Sequence, residues 1–341
     1  MISPKQETLI DENGNFRYGK YSTSLREVSP LDLKAGVLGH LPRGLKDYRL
    51  KEWQAFMIGG KRFYLVIGTM NLKLFSVIRL MVYDKDKNRT WGFSEVYPLR
   101  KIKVAESIEN DTMFFRNKDV LIYANHFLRT NLLEVGFSFT DELSGEKLSA
   151  YFSSASPINE PQVSVLPFQK GAGLYTHKQL MALEGYLKIH NQLFQIDKEE
   201  TSMVLDDQKT YYPYHSGWDW VTASGIIKDD YCGFTVSDIR GIKGAFNENC
   251  FWKNGKIHEV PSVKFCRNKA SGTWTIVDEK GMVNILFRPV AKNRIHRNFG
   301  VAAGTYEGPF GWFSGHLSSY DGQTLRINGM FGMGEKMNLR L

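Results

Sequence analysis

Short runs of alternating apolar and polar residues, separated by turn residues, occupy most of this 341-residue chain. Alternation with a period of two is typical of half-buried β-strands, and Asn-Gly or Asp-Gly between two such runs favours a hairpin. The clearest hairpin turns are residues 85–88, 253–255, 279–281 and 320–322. Helical periodicity is scarce: residues 178–183 fit a turn or two of helix, and residues 45–56 are ambiguous. The pattern predicts an all-β protein of antiparallel sheets with little helix.

The length of the chain predicts more than one folding unit. A single hydrophobic core usually stops growing at roughly 250–300 residues, and this chain exceeds that limit. Pro157, Pro161 and Pro167 interrupt the strand pattern in the middle of the chain. We therefore expect two tandem domains, an N-terminal one over residues 1–200 and a C-terminal one over residues 201–341.

The positive charge of the chain says little about its partners. Lys and Arg number 44 against 36 Asp and Glu, which gives a formal net charge of +8. The densest basic stretch, residues 288–297, is not a continuous block and carries no nucleic-acid-binding motif. Solvated loops and strand edges account for such dispersed charge, and a basic surface for an anionic membrane or nucleic acid is the weaker alternative. We expect no specific nucleic-acid partner and leave peripheral membrane contact open.

Cysteine usage and targeting patterns favour a soluble cytoplasmic protein. The three cysteines are odd in number and lack C-x-x-C spacing, which indicates a reducing compartment rather than a disulfide scaffold. The first thirty residues contain no apolar segment of a secretory signal. The most apolar run, residues 63–83, is interrupted by Asn71, Lys73 and Arg79, so no transmembrane segment is expected.

Sequence motifs for metal or nucleotide chemistry are absent. The eight histidines form no His-x-His, His-Glu-x-x-His or Cys/His cluster, so no metal site is expected. The glycine-rich residues 329–336 place Glu335 where a phosphate-binding loop carries its Lys. We therefore expect no cofactor, and interpret these glycines as allowing a tightly bent or closely packed final strand.

The strongest concentration of unusual side chains is the run VLDDQKTYYPYHSGWDWVTASG. Consecutive side chains on a strand point to opposite faces. Trp218 and Trp220 then share one face, while Asp219 points to the other. Likewise, only one of Asp206 and Asp207 can enter a barrel interior. An aromatic-lined cavity with one inward carboxylate is suited to bind an apolar ligand and to orient it by a single polar contact.

Two tyrosines in the same run have a related spacing. Tyr212 and Tyr214 are separated by Pro213, which restricts the path of the chain between them. A desolvated carboxylate beside such rings has a raised pKa and can act as a general acid near neutral pH. Alternatively, the tryptophans belong to a core and the aspartates cap a turn or pair with Lys209. The spacing alone leaves both interpretations open.

The order and spacing of these residues resemble the domain-of-unknown-function family 2804 over most of the chain. The matching positions are residues 51–53, 177–178, 185, 204–206, 213–214, 218, 220, 225, 248–249, 254–255, 272–276, 287–289, 310–315, 329 and 335. That family is distantly similar to two-domain lipocalin-like proteins, which include carotenoid hydratases and fungal Diels–Alder cyclases. The resemblance implies two tandem lipocalin-like (calycin-type) antiparallel β-barrels, a ligand cavity between or within them, apolar ligands and no bound cofactor. It implies no definite reaction.

The chain departs from this family after Asp206. Trp-Gly-Arg-Gly is usual there, whereas residues 207–210 read Asp-Gln-Lys-Thr. Lys209 keeps the positive charge of the Arg without its planar fork, and Tyr212 stands where Trp is common. These changes affect the expected ligand specificity more than the fold.

Three further charged residues have alternative interpretations. Lys178 either pairs with Asp206 or is a surface lysine with a buried stem. Glu248 either lines the cavity or satisfies backbone donors at a turn. Glu335 has the same choice between the cavity and a structural role, and a buried ion pair that closes the last barrel strand is the favoured one.

Two functions follow as hypotheses. The first is a binding protein for a small apolar or amphipathic ligand, such as a lipid, an isoprenoid or a polyketide-like molecule. The second is a cofactor-independent hydratase, isomerase or cyclase in which Asp206 is the general acid toward an alkene-like substrate. The expected ligand-binding residues are Lys178, Tyr212, Tyr214, Trp218, Trp220 and Glu248.

Overall fold

The computed structural model describes residues 8–99, 102–168, 171–242, 246–291, 293–298 and 303–340. These residues form antiparallel strands together with α1 (Gly36–Gly39), α2 (Arg43–Arg49) and 3-10 turns at Pro30–Asp32, Leu128–Thr130 and Lys198–Glu200. The strands of a first sheet are β1 (Gly19–Tyr21), β2 (Lys51–Gly59), β3 (Phe63–Asn71), β4 (Phe75–Asp84), β5 (Arg89–Pro98), β6 (Asp111–Arg116), β7 (Val120–Phe127), β8 (Leu132–Thr140), β9 (Lys147–Ile158), β10 (Gln162–Pro167), β11 (Gly173–Ile189), β12 (Gln192–Ile196) and β13 (Ser202–Thr210). The strands of a second sheet are β14 (His215–Ile227), β15 (Asp230–Ile239), β16 (Cys250–Lys253), β17 (Lys256–Glu259), β18 (Lys264–Arg267), β19 (Trp274–Val277), β20 (Val283–Ala291), β21 (Arg294–Asn298), β22 (Ala303–Glu307), β23 (Phe310–Ser318) and β24 (Thr324–Arg340). Within this described part of the chain, no helix has the length and apolar character needed to cross a membrane.

Hydrogen bonding connects these strands mostly to their neighbours in sequence. The first sheet has the order β5-β4-β3-β2-β13-β11-β9-β8-β7-β6, and the second has the order β17-β16-β15-β14-β24-β23-β20-β19-β18. Further strands join at the sides: β10 and β12 pair with β11, β1 with β10, β22 with β24 and β21 with β22. Such an order is expected when most strands are joined by hairpins.

One face of each sheet encloses its own apolar core. In β20, Val283, Ile285 and Phe287 are buried while Asn284 and Arg288 are exposed, which is the alternation of a strand with one face on a core. The first core takes apolar side chains from β2 to β9, β11 and β13, and the second from β14, β15, β16, β19, β20, β23 and β24. The predicted all-β architecture of two antiparallel units with little helix is confirmed.

The outward faces of the two sheets pack against each other. On β13, Met203 and Leu205 enter the first core, so Val204 between them points toward the second sheet. Across this contact, the ring of Tyr64 on β3 lies 5.3 Å from the ring of Phe310 on β23, measured between centroids. An apolar layer therefore separates the two cores.

The N-terminal segment covers the connection between the sheets. Residues before β2 share an apolar cluster with Tyr211 and Tyr212, which follow β13. The hydroxyl of Tyr211 donates to the carbonyl oxygen of Pro30 at 3.3 Å, and the guanidinium of Arg49 donates to the carbonyl oxygen of Tyr212 at 3.0 Å. These contacts fix the path of the chain as it leaves the first sheet.

The chain passes from the first sheet to the second between Thr210 and His215. β13 pairs with both β2 and β11 along its whole length. Residues 202–210, which the sequence-based boundary at residue 200 assigns to the C-terminal unit, are therefore hydrogen-bonded into the first sheet. Alternation along a strand does not reveal its partners, because these are set by residues far away in sequence. The division of the chain into two domains remains a prediction.

Local sequence signals give mixed results. The predicted turns at residues 85–88, 253–255, 279–281 and 320–322 each lie between two paired strands. Asn254 and Gly255 have φ values of 52° and 74°, the left-handed conformation typical of a type I′ turn. The predicted helical turn at residues 178–183 is wrong, because these residues lie in β11. Apolar side chains on both faces of β11 enter packed layers, which removes the simple alternation of a half-buried strand.

Gly185 occupies a backbone position that cannot accommodate a side chain. Its φ is 149°, and a Cβ atom there would lie 2.0 Å from the carbonyl oxygen of Tyr151 on β9. We expect Gly185→Ala to lower the free energy of unfolding by about 1–3 kcal/mol, because the paired backbones must separate. Gly225 is the matched control, since a Cβ there would meet no atom within 4 Å. Equal urea midpoints for the two Ala variants would contradict this account of the β9–β11 pair.

Candidate functional site

A cavity lies between the two sheets. Its walls come from β2, β3, β4 and β13 of the first sheet and from β14, β22 and β24 of the second. The space between the lining atoms is about 800 Å³ with the mouth included, and the centres of water molecules can occupy about 80 Å³ of it. Of the two expected positions, between or within the two units, the cavity takes the one between them. The two apolar cores occupy the inward faces of the sheets, so the open space is where their outward faces meet.

Three charged side chains meet at one wall of this cavity. Lys178 on β11 lies directly opposite Asp206 on β13 in the strand register. The Nζ of Lys178 donates to Oδ1 of Asp206 at 2.7 Å and lies 3.3 Å from Oε2 of Glu248, which precedes β16. Lys178 is fully buried, whereas Asp206 and Glu248 line the cavity. We call Lys178, Asp206 and Glu248 the cavity charge cluster.

Burial and mutual attraction set the ionisation of the cavity charge cluster. Burial opposes the charged form of Lys178, but Asp206 and Glu248 outweigh it and raise the pKa of the ammonium group. Burial raises the pKa of Asp206 against the opposing effect of Lys178, and the charge of Glu248 raises it further. Gln208 donates to the same carboxylate at 3.2 Å. The cluster therefore holds a cation beside a carboxyl group whose pKa is raised above its ordinary value, which is the direction that a general acid requires.

An aromatic wall, formed by Trp53, Tyr212, Trp218 and Trp220, borders the same cavity. Trp218 stacks on Tyr212 with ring centroids 5.4 Å apart, and Trp53 meets Trp218 edge to face at 5.2 Å. The ring of Trp220 lies 5.4 Å from the Nζ of Lys178, which joins the wall to the charge cluster. Flat rings beside a few polar groups form a surface that suits an apolar ligand with one polar contact.

Glu335 on β24 brings another carboxyl group to the cavity. Its Oε1 accepts a hydrogen bond from the indole Nε1 of Trp218 at 2.5 Å. Burial raises the pKa of Glu335 to about 7, although the indole and the charge of Arg79 act in the opposite direction. The predicted ion pair at the last strand is wrong: in the described part of the chain, Glu335 is held by Trp218 and forms no salt bridge.

Glu335 predicts a pH dependence of stability. Because its pKa is about 7 in the folded protein and 4.5 ordinarily, the folded state retains a proton that the unfolded state loses between these values. Stability is therefore lost as the pH rises from about 4.5 to 7. We expect Glu335→Gln to be more stable than the native protein at pH 8, on the order of 1 kcal/mol, and equal to it near pH 4.5.

Urea unfolding at both pH values measures this difference. The Gln oxygen can still accept the indole hydrogen bond, so the comparison isolates the charge of Glu335. Glu259→Gln, at an exposed carboxylate on β17, is the control and is expected to leave the pH profile unchanged. Parallel profiles for Glu335→Gln and the native protein would show that Glu335 ionises as readily in the folded state as in the unfolded state.

The structure gathers most of the predicted site residues at the cavity. Trp218 and Trp220 share one face of β14 as predicted, while Asp219 points away and forms a salt bridge with Arg267. Lys178 pairs with Asp206, which decides between its two interpretations. The predicted residues that line the cavity are Asp206, Tyr212, Trp218, Trp220 and Glu248, with Lys178 directly behind them.

Tyr214 is a correction to the predicted site. It is 48% exposed and meets His215 edge to face, away from the cavity lining. The rule that residues i and i+2 share a face applies within a strand, and β13 ends at Thr210. Tyr212 and Tyr214 lie in the connection between the sheets, on either side of Pro213.

The neighbouring Asp207 points in the opposite direction from Asp206, as the alternation predicts. It lies on the inward face of β13, fully buried, and accepts a hydrogen bond from Nε2 of Gln54 at 2.8 Å. Burial raises the pKa of Asp207 to about 6, although Lys209 acts against this rise. The two adjacent carboxyl groups thus belong to two different environments.

A second buried charge cluster, which we call the inner charge cluster, consists of Glu52, Lys73 and Lys209. Glu52 Oε2 accepts from Lys73 Nζ at 2.5 Å, and Glu52 Oε1 lies 3.3 Å from Lys209 Nζ. Lys73 also lies 3.1 Å from Asp47, and Lys209 donates to the carbonyl oxygen of Ala105 at 2.8 Å. Burial opposes ionisation of Glu52, but the two lysines outweigh it and lower its pKa. This shared carboxylate links β2 to β13 and to the β3–β4 turn, and the contact of Lys73 with Asp47 extends the link to α2.

Sequence reasoning missed Arg79 on β4 and Tyr306 on β22, which also line the cavity. Arg79 was visible only as a charge within the apolar residues 63–83, where it served as an argument against a membrane span. An ionisable residue on an otherwise apolar strand was the available signal. Among the described residues, no group of three or more His, Cys, Asp and Glu side chains is arranged to hold a metal ion.

The structure is that of an all-β protein with two large antiparallel sheets and a cavity between them. The chain belongs to the family described as "Domain of unknown function (DUF2804)", which it matches over residues 2–341. Among solved structures it is similar to CghA, with a TM-score of 0.50 and 9% identity, over 86% of this chain and 88% of that chain. It is also similar to kievitone hydratase from Nectria haematococca, with a TM-score of 0.48 and 11% identity, over 85% of this chain and 88% of that chain. No curated protein matches the chain.

Proposed function

We propose that this protein binds a small apolar or amphipathic ligand in the cavity between its two sheets. The observation that carries the proposal is the aromatic wall placed beside the cavity charge cluster. Covering the faces of Trp218 and Tyr212 removes apolar surface from water, which favours binding. Asp206 then supplies one polar contact that orients the ligand, because Lys178 fixes its position.

A cavity-filling variant tests the binding site directly. Gly68 on β3 lines the cavity, and a Cβ there would meet its nearest atom only at 3.8 Å, the backbone oxygen of Arg79. We expect Gly68→Leu to fill the space and to weaken binding of the fluorescent probe cis-parinaric acid by at least about tenfold, since most of its apolar contact is lost. Gly92→Leu, an outward-facing glycine on β5 outside the cavity, is the matched control. Equal probe affinity in both variants would overturn the proposal.

Native mass spectrometry of protein purified from its own host identifies the ligand class. A lipid, isoprenoid or polyketide-like molecule is expected to remain with the native protein and with Gly92→Leu. It is expected to be absent from Gly68→Leu. A molecule that accompanies all three proteins equally would place binding elsewhere.

The raised pKa of Asp206 favours a second, catalytic function at the same site. In this function the O–H bond of the Asp206 carboxylic acid breaks as its proton adds to one alkene carbon of the ligand. The π electrons form the new C–H bond, and the carbocation is flanked by the rings of Trp218 and Trp220. The cation then adds water and loses a proton from the added oxygen, or it loses a proton from a neighbouring carbon. When a second alkene attacks the cation, a C–C bond and a new cation form, and the new cation loses a proton in one of these two ways. In each case the released proton returns to Asp206. Lys178 stays protonated and stabilises the carboxylate, and these proton transfers need no cofactor.

Isotope incorporation tests this catalytic function. When the co-purified ligand is incubated with the protein in D2O, we expect deuterium to appear on carbon, because the Asp206 proton exchanges with solvent. Asp206→Asn is expected to abolish incorporation, whereas Asp207→Asn, on the opposite face of β13, is expected to retain it. Incorporation that survives Asp206→Asn would remove Asp206 as the acid and leave the binding proposal intact.

A further inference from the structure

A second, outer groove adjoins the cavity between the same two sheets. It is lined mainly by apolar side chains from β4, β5, β21, β22 and β24, among them Val77, Val96 and Leu339. Three residues, Met70, Arg79 and Tyr306, line both the groove and the cavity. Arg79 and Tyr306 therefore form the partition between the two spaces.

Among the residues that the structure describes, no carboxylate lies within salt-bridge distance of the buried Arg79. It is 7% exposed, and its guanidinium lies 4.1 Å from the centroid of the Tyr306 ring. Its other side-chain contact is with the sulfur of Met81, 3.4 Å from Nη2. Within the described ranges of the chain, Arg79 forms no salt bridge. Burying an unpaired guanidinium is costly, so this position is explained best by a negative charge that the protein itself does not provide.

The charges around the cavity support the same conclusion. Lys178 is compensated by Asp206 and Glu248. Glu335 is the carboxyl group whose ionisation Arg79 assists, but burial holds its pKa near 7, so at neutral pH it compensates Arg79 only in part. A positive charge thus remains at the partition, where an apolar approach from outside meets the cavity.

We infer that the ligand is an amphipathic carboxylic acid whose carboxylate pairs with Arg79 at the partition while its apolar body lies against the aromatic wall. This inference rests on the proposed function, because it assigns the ligand class of the same cavity. A guanidinium offers two parallel N–H donors to a carboxylate, and the ring of Tyr306 keeps its plane fixed for such a contact. The outer groove gives the apolar body a largely apolar path to Arg79, with the exposed Arg297 as a second cation on its lining.

Two probes that differ only at the head group test the inference. They are cis-parinaric acid and its methyl ester, which share one fluorescent polyene chain. We expect the native protein to bind the acid roughly 10- to 100-fold more tightly than the ester, as for a charge-assisted hydrogen-bonded pair. Arg79→Gln is expected to reduce the affinity for the acid to that for the ester, and to leave the ester unchanged. Arg79→Lys is expected to retain part of the preference.

Arg288→Gln is the matched control, because Arg288 is an exposed residue of β20 that contacts Ser314 outside the cavity. It is expected to keep the full preference for the acid. If Arg79→Gln does not fold, the comparison of the two probes on the native protein still decides the matter. Equal binding of acid and ester, still sensitive to Gly68→Leu, would overturn this inference and leave the proposed function standing. Binding of neither probe would overturn both.

Discussion

Lys178→Met is expected to lower the free energy of unfolding by about 3–5 kcal/mol, the usual cost of breaking a buried ion pair from one side. Met keeps most of the volume of the lysine stem but removes the charge that compensates Asp206 and Glu248. Those carboxyl groups must then be buried without a cation or be protonated. The loss is large because Lys178 is fully buried and both partners face a confined cavity.

Urea unfolding at pH 8 and pH 5 measures this effect. In the variant, the folded-state pKa of Asp206 rises further because Lys178 no longer opposes the effect of burial, so the deficit is expected to shrink as the pH falls. Adding Asp206→Asn to Lys178→Met removes one buried charge and should recover part of the loss. Lys264→Met is the control, since Lys264 is 71% exposed in its pair with Glu279 and should change stability by less than about 0.5 kcal/mol. A Lys178→Met deficit as small as that of the control would mean that the cavity charge cluster is solvated.

Glu52→Gln is also expected to lower the free energy of unfolding by about 3–5 kcal/mol, but here buried cations rather than buried carboxylates lose their partner. Glu52 is the carboxylate that Lys73 and Lys209 share, so its neutralisation leaves buried cations facing each other. In the variant, Asp47 remains beside Lys73. Lys209 has lost the carboxylate and retains its hydrogen bond to the carbonyl oxygen of Ala105. The substitution preserves shape, so a loss of this size reports on charge rather than packing.

The pH dependence distinguishes Glu52→Gln from Lys178→Met. Unpaired buried lysines have pKa values below those of the unfolded chain, so the unfolded state binds more protons and stability rises with pH. The deficit of Glu52→Gln is therefore expected to shrink between pH 7 and pH 10. Glu279→Gln, at a carboxylate that is 83% exposed, is the matched control. A deficit that is constant over this range would show that the lysines stay paired through other groups.

Local signals were sufficient to predict the fold class. Alternation in strands such as β20 and Asn-Gly turns such as residues 254–255 depend on residues close in sequence, and both were correct. The shared face of Trp218 and Trp220 and the opposite directions of Asp206 and Asp207 follow from the same rule. The residues of the cavity charge cluster were all among the candidates.

The position of the site could not be predicted in the same way. Alternation shows which residues share a face, but an outward face packed on a second sheet looks the same as an inward face packed on a core. The pairing of β13 with β2, and the contact of Tyr64 with Phe310 between the two sheets, join residues more than a hundred positions apart. Arg79 and Tyr306 come from such distant strands, and their separate sequence contexts give no sign of one shared partition.

The placement of the cavity between outward faces bears on how such a protein can diversify. The number of strands and their shear fix the size of a closed barrel's interior. A ligand of a new shape there must displace side chains that also hold the barrel together. Here, residues such as Ala55 and Gly68 line the cavity, while their neighbours Phe56 and Ile67 fill the first core. Substitutions at these positions can therefore reshape the cavity while the side chains of the first core stay in place.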